Sequence, residues 1–135
     1  MRVVFDANVV AAGVCWNGEG HICLVKLARR QVFAWGTTFT VQETTDTVAR
    51  LIRKVQPAHN AAARLNWYLE KVRLVEPAPL GKQRCRDAED DPCLACALAA
   101  GAKAIVSYNK DLLALEKPFG IQVLRPAALL KLLQG

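Results

Sequence analysis

No stretch of the 135-residue chain approaches the ~20 consecutive apolar residues of a membrane span, although 53% of its residues are hydrophobic. The N-terminus passes from Met1-Arg2 straight into Val3-Val4-Phe5-Asp6, without the apolar segment of a secretory leader, so no membrane association is expected. Cysteine is too sparse and irregular for a disulfide framework. Cys15, Cys23, Cys85, Cys93 and Cys96 are odd in number, in a chain large enough not to need bridges, and a reducing cytoplasm is the simplest setting. Histidine is rarer still: His21 and His59 lack ligand spacing, and Cys93-x-x-Cys96 has no second pair, which argues against zinc. Those two cysteines sit in an apolar helical run and read as small core residues. The chain has no internal repeat, low-complexity tract or interdomain linker. A single domain over residues 1–135 buries roughly two-thirds of its unfolded surface, enough for a core and against intrinsic disorder.

Acidic residues are also scarce, 12 against 18 Lys plus Arg, and the formal charge of +6 favours an anionic partner such as nucleic acid or an acidic protein. Four of the twelve acids fall within five positions, Asp87, Glu89, Asp90 and Asp91, whereas the basic residues are dispersed. A negative knot in a basic protein calls for a reason.

Short β-branched or aromatic runs predict strands at Val3-Val4-Phe5, Val32-Phe33-Ala34, Ala104-Ile105-Val106 and Gln122-Val123-Leu124, with Leu74-Val75 a weaker fifth. Helical spacing predicts helices over His21 to Arg30, Val41 to Lys54, Ala61 to Lys71, Pro92 to Ala100 and Pro126 to Leu133. Gly13 to Gly20 reads as a loop, Thr37 or Thr38 as a helix cap, and Pro77 to Gly81 as a turn-rich connector. Leu129, Leu130, Leu132 and Leu133 suit core or dimer contacts. Short apolar strands alternating with helices predict a three-layer α/β/α domain with a central, mainly parallel sheet.

Ligands of such sheets bind outside the carboxyl ends of the strands. Asp6, trailed by Asn8, follows the first predicted strand. Ser107-Tyr108-Asn109-Lys110-Asp111 follows the Ala104 strand, Glu43 lies in the first turns of a helix, and the acidic knot opens the Pro92 helix. All four groups can converge on one edge. Carboxylates brought together there need a counter-charge, and a hard, oxygen-liganded Mg²⁺ or Mn²⁺ supplies one. Such an ion can orient water and neutralise a phosphodiester, with basic residues holding the nucleic-acid backbone.

Asp6-Ala7-Asn8-Val9-Val10, Glu43 after a Thr-rich turn, Arg86-Asp87-Ala88-Glu89-Asp90-Asp91-Pro92 running into Leu94-Ala95-Cys96-Ala97, and Ile105-Val106-Ser107-Tyr108-Asn109-Lys110-Asp111-Leu112-Leu113 together resemble a PIN domain. The likeness spans essentially the whole chain. It is strongest to toxin components of toxin–antitoxin systems, relatives of VapC. The resemblance implies a metal-dependent ribonuclease whose acids fall on Asp6, Glu43 and, because Ala95 and Ala97 match the small residues that follow, Asp90. Asp87 and Asp91 are neighbours able to bind metal or water. The fourth acid of the family is replaced by Asn109, which keeps an oxygen but loses a charge; Asp111 is a possible substitute. Water attacks an RNA phosphodiester in the implied mechanism, with the carboxylates fixing the ion and one accepting a proton. Asn8 and Ser107 orient ligands or phosphate, and Arg84, Arg86 and Lys110 are weaker candidates for substrate contact. A cognate antitoxin protein and a homodimer are implied as partners.

Taken singly, these residues have plainer readings: Asp6 as a turn cap, Glu43 and the acidic knot as charges complementing helix dipoles, Arg84 and Arg86 as partners of the carboxylates. Trp16, in the predicted loop, is able to stack on a base, whereas Trp35 and Trp67 read as packing. Two other functions compete. One is an RNA-binding or partner-binding module that has lost activity with its fourth acid. The other is a phosphatase of the haloacid dehalogenase type, disfavoured by Asn8 at the second Asp of its motif and by the absence of a role for Glu43.

Overall fold

The predicted strands close into one sheet, all parallel, in the computed structural model, which describes residues 1–134. β1 (Arg2–Phe5), β2 (Phe33–Gly36), β3 (Arg73–Leu74), β4 (Ala104–Val106) and β5 (Gln122–Leu124) lie in the order β3-β2-β1-β4-β5. β1 is central. Its alternating side chains feed two cores: Val3 and Phe5 join one cluster, and Val4 joins the other. Ile105 and Val106 of β4 divide in the same way.

α1 (Ala7–Cys15), α2 (Glu19–Ala28), α3 (Thr38–Val55), α4 (Ala61–Lys71) and α7 (Pro126–Gln134) contribute to the first cluster, α5 (Asp91–Ala100) and the one-turn α6 (Lys110–Leu113) to the second. The domain is thus a three-layer α/β/α architecture around a central parallel sheet, as the alternating pattern predicts. Among the described residues no helix is long and apolar enough to cross a membrane.

Capping sets the helix starts. Thr37 accepts from the Thr40 N–H at 3.1 Å while its own N–H donates to Thr40 Oγ1 at 2.8 Å, so α3 begins three residues before Val41. α5 ends at Gly101, whose φ of 62° suits glycine in the left-handed region. Its Cys93, Leu94, Ala95, Cys96 and Ala97 are buried, which makes the C-x-x-C core, with both thiols free. Of the C-terminal leucines, Leu129 is buried and Leu132 is exposed.

The expected loop from Gly13 to Gly20 is corrected: α1 runs through Cys15 and α2 starts at Glu19, leaving only residues 16–18 between them. Gly13 marks a close helix crossing. A Cβ there would lie 2.8 Å from the Gly20 carbonyl oxygen and 2.8 Å from Leu24 Cδ1. Overpacking of this kind costs about 1–3 kcal/mol, against a gain of about 1 kcal/mol in helix propensity, so Gly13→Ala is expected to lose about 1 kcal/mol in urea unfolding. An increase in stability would show that α1 and α2 separate freely.

Candidate active site

The site begins where β1 ends. The Asp6 N–H donates to the Val106 carbonyl at 2.9 Å, which locks the carboxyl ends of β1 and β4 together. Asp6 caps α1, Oδ1 accepting from the Ala7 N–H at 2.8 Å, and its Oδ2 accepts from the Ser107 hydroxyl at 2.6 Å. Ser107 is fully buried, and its oxygen accepts from the Asn109 N–H at 2.9 Å. The Asn109 side chain then donates through Nδ2 to Asp90 Oδ1 at 3.0 Å, while its Oδ1 accepts from the Asp111 N–H at 2.8 Å. Four side chains from three parts of the chain form one relay: Asp6, Ser107, Asn109, Asp90. Asp90 ends a 3-10 turn over Ala88–Asp90, and its Oδ2 is buried without a hydrogen-bond partner. Glu43 enters from the second turn of α3, half-buried.

Residues 2–111 match the PIN domain family model. The chain belongs to the PIN domain family. PIN domains are generally nucleases. The fold is also similar to the crystal structure of PAE2754 from Pyrobaculum aerophilum, with a TM-score of 0.64, 19% identity, and 99% of this chain and 90% of that one covered. No curated protein matches the sequence. Membership of the PIN family sets aside the haloacid-dehalogenase phosphatase reading.

In this PIN domain the acids repel one another. Burial, then the charges of Asp87, Asp6 and Asp111, push the Asp90 carboxyl up to about 6, with the Asn109 hydrogen bond opposing them. Burial, then Asp6, Glu89 and Asp90, also raise Glu43, with Arg50 offsetting them. Cys93 lies beneath: burial, followed by the charge of Asp6, keeps its thiol protonated.

A folded-state carboxyl raised above its unfolded value favours the folded state when protonated. The cost of charging Asp90 therefore grows as pH rises from about 4 through about 6 and is complete above that. In EDTA at pH 7.5, Asp90→Asn is expected to be more stable than wild type by about 1 kcal/mol, after allowance for solvent screening. The gain should vanish below pH 4. Thermal melts across pH read it directly, and a variant less stable at pH 7.5 would contradict the mutual repulsion.

The other sequence-nominated residues divide. Asp87 caps the 3-10 turn through the Glu89 N–H at 3.0 Å and stays exposed, its charge acting on Asp90. Asp91 is engaged elsewhere. Its carboxylate accepts the N–H groups of Cys85 at 2.7 Å and Arg84 at 3.2 Å; although burial pushes it up, these bonds hold it below the usual carboxylate range. Asn109 presents its amide N–H₂ to Asp90, its oxygen being taken up by Asp111. Arg84 donates to the Leu80 carbonyl at 3.1 Å and lies 5.2 Å over the Phe119 ring. Asn8, Arg86 and Lys110 are exposed. The sequence places Glu89 in the acidic knot without a ligand role and gives Arg50 no part, yet the charges of both reach Glu43; for Arg50 the signal was present, two helical turns beyond Glu43 on α3.

Among the described residues, no group of three His, Cys, Asp or Glu side chains is drawn together as a ready metal cage. The donor chemistry nonetheless fits a hard divalent cation, since the groups are carboxylates, those of Glu43 and Asp90 are raised by neighbouring acids, and one buried oxygen lacks a partner.

Proposed function

We propose that this PIN domain is a metal-dependent endoribonuclease and the toxin of a toxin–antitoxin pair. The observation that carries the reading is the relay that brings Asp6 and Asp90 together, with Glu43 in their field and the Asp90 Oδ2 buried without a partner. Asp6, Glu43 and Asp90 would hold Mg²⁺ or Mn²⁺. When bound, the ion supplies counter-charge to the carboxylates and to a phosphodiester, and eases deprotonation of water. The chain does the rest. Ser107 orients Asp6, Asn109 orients Asp90, and the Asp90 carboxyl, raised to about 6, is suited to accept a proton near neutral pH. The net charge of +6 supports a polyanionic substrate.

The test is cleavage of a mixed panel of structured and single-stranded RNAs in Mg²⁺, Mn²⁺ and EDTA by wild type and Asp90→Asn. Cutting that needs metal and is lost in the variant is expected. Identical behaviour of the two proteins in every metal would overturn the reading.

A second reading is favoured by one contact. Asn109 donates an amide to Asp90 where a fourth acid would add charge, which suits a PIN-like module that binds RNA or a protein without cutting. Any metal-dependent cleavage by wild type excludes it. The toxin reading includes a cognate antitoxin, a homodimer and a cytoplasmic setting. A mostly apolar groove of about 350 Å³ between α2 and α4, lined by Leu24, Val25, Ala28, Ala63 and Trp67 together with His21 and Arg64, supports a protein partner.

A further inference from the structure

A second groove opens beside the carboxylates, about 640 Å³ in volume and lined by Asn8, Trp16, Thr47, Arg50, Lys54 and Tyr108 among others. It adjoins the site along three lines. Tyr108 stands between Ser107, which holds Asp6, and Asn109, which holds Asp90. Asn8 follows Asp6 by two residues. On α3, Glu43, Thr47, Arg50 and Lys54 are spaced by four, three and four residues, so they share a face. From Glu43 to Lys54 that face runs about 16 Å along the helix, away from the carboxylates.

The lining combines rings with cations. Trp16 is 49% exposed and Tyr108 38%, large aromatic surfaces that neither core uses. Trp16 is firmly held. Its N–H donates to the Ala12 carbonyl at 2.9 Å, and its carbonyl accepts from Arg64 Nη1 at 3.2 Å, the same guanidinium donating to Asn17 Oδ1 at 2.9 Å. The backbone that carries the indole is thereby fixed at the groove. Arg50 and Lys54 are exposed, and Arg50 donates to Thr47 Oγ1 at 3.2 Å. Aromatic faces beside a row of cations bind splayed bases and their phosphates, which a duplex keeps stacked inside.

Building on the nuclease reading above, we infer that this groove receives the nucleotides next to the scissile phosphate of a single-stranded polynucleotide, a base against the Trp16 and Tyr108 rings and phosphates along Arg50 and Lys54. Tyr108 sets the register, because it is joined through its two neighbours to the side chains that orient Asp6 and Asp90.

The experiment is fluorescence anisotropy of a labelled RNA 12-mer, its duplex and the DNA strand of the same sequence, in EDTA so that nothing is cut. Full-length wild type, Trp16→Ala, Trp16→Phe, the double variant Arg50→Gln/Lys54→Gln and Lys131→Gln on α7 are compared. The single strand should bind more tightly than the duplex. Trp16→Ala should weaken it about ten-fold without changing the salt dependence, and Trp16→Phe should restore most of the loss. The double variant should lower the slope of log K against log salt by roughly 0.7 per cation, with Lys131→Gln leaving it unchanged. Tighter binding of RNA or of DNA identifies which strand the groove prefers. Equal binding of strand and duplex, or full affinity in Trp16→Ala, overturns the inference, as does a change in oligomeric state in Trp16→Ala with RNA binding intact, which would make the groove a protein interface. The two readings fail separately. Cleavage that survives intact in Trp16→Ala sinks this one alone, whereas Trp16-dependent binding without cleavage by wild type sinks only the nuclease.

Discussion

Asp6→Asn is expected to lower metal-dependent RNA cleavage by more than about a hundred-fold, since loss even of an outer partner of a metal site typically costs 10–100-fold. The substitution is nearly isosteric. An asparagine oxygen still accepts the Ala7 N–H that caps α1, so the helix keeps its start. The anion facing the Ser107 hydroxyl is lost, and with it one charge that raises both Glu43 and Asp90. Relief of that repulsion offsets the weaker cap, so the thermal midpoint in EDTA should move by only a few degrees, within the span that about 1 kcal/mol produces in a domain of this size. Gel cleavage assays beside a thermal melt separate the two effects. Cutting within ten-fold of wild type by a folded variant would remove Asp6 from the site.

Asn109→Asp is expected to act in the opposite direction on metal use. The amide that donates to Asp90 becomes a carboxylate, so without metal another charge joins the cluster, the Asp90 carboxyl rises further above about 6, and stability at pH 7.5 falls. With Mg²⁺ present the same charge becomes an additional anionic donor. Unit charges about 4 Å apart interact by about 4 kcal/mol at an effective dielectric near 20, so a ten-fold fall in the half-saturating Mg²⁺ concentration, about 1.4 kcal/mol, is a conservative expectation. The observable signature is a crossing: a lower melting temperature than wild type in EDTA and a larger gain on adding Mg²⁺. A higher Mg²⁺ requirement would instead make the amide bridge to Asp90 the working arrangement.

The sequence showed the sheet because buried parallel strands are short, apolar and rich in β-branched residues, and Val3 to Phe5 and Ala104 to Val106 are of that kind, with Val123 marking the edge strand. It hid α1 for a related reason. Ala-Asn-Val-Val-Ala-Ala-Gly-Val-Cys carries β-branched residues and a glycine, both weak helix formers, and it is helical because seven of its nine residues are buried against the rest of the fold. The order of the acids was legible. Their division of labour was not, since Asp90 and Asp91 are chemically alike and adjacent, and only the path of residues 84–85 past Asp91 assigns it to holding that backbone. Nor does a sequence tell which end of the Asn109 amide faces Asp90. Trp16 was read in a loop eight residues long; the shorter turn and the Arg64 clamp fix its backbone.

The hydrogen bond from Ser107 to Asp6 joins residues 101 positions apart, and Asp90 reaches the same relay from the chain's later half. A polypeptide emerging from the ribosome in N-to-C order therefore carries Asp6 long before it carries Ser107, which orients it. Whatever chemistry the relay supports is assembled only when β4 has docked beside β1, so a chain that stops short of Ser107 lacks the relay altogether.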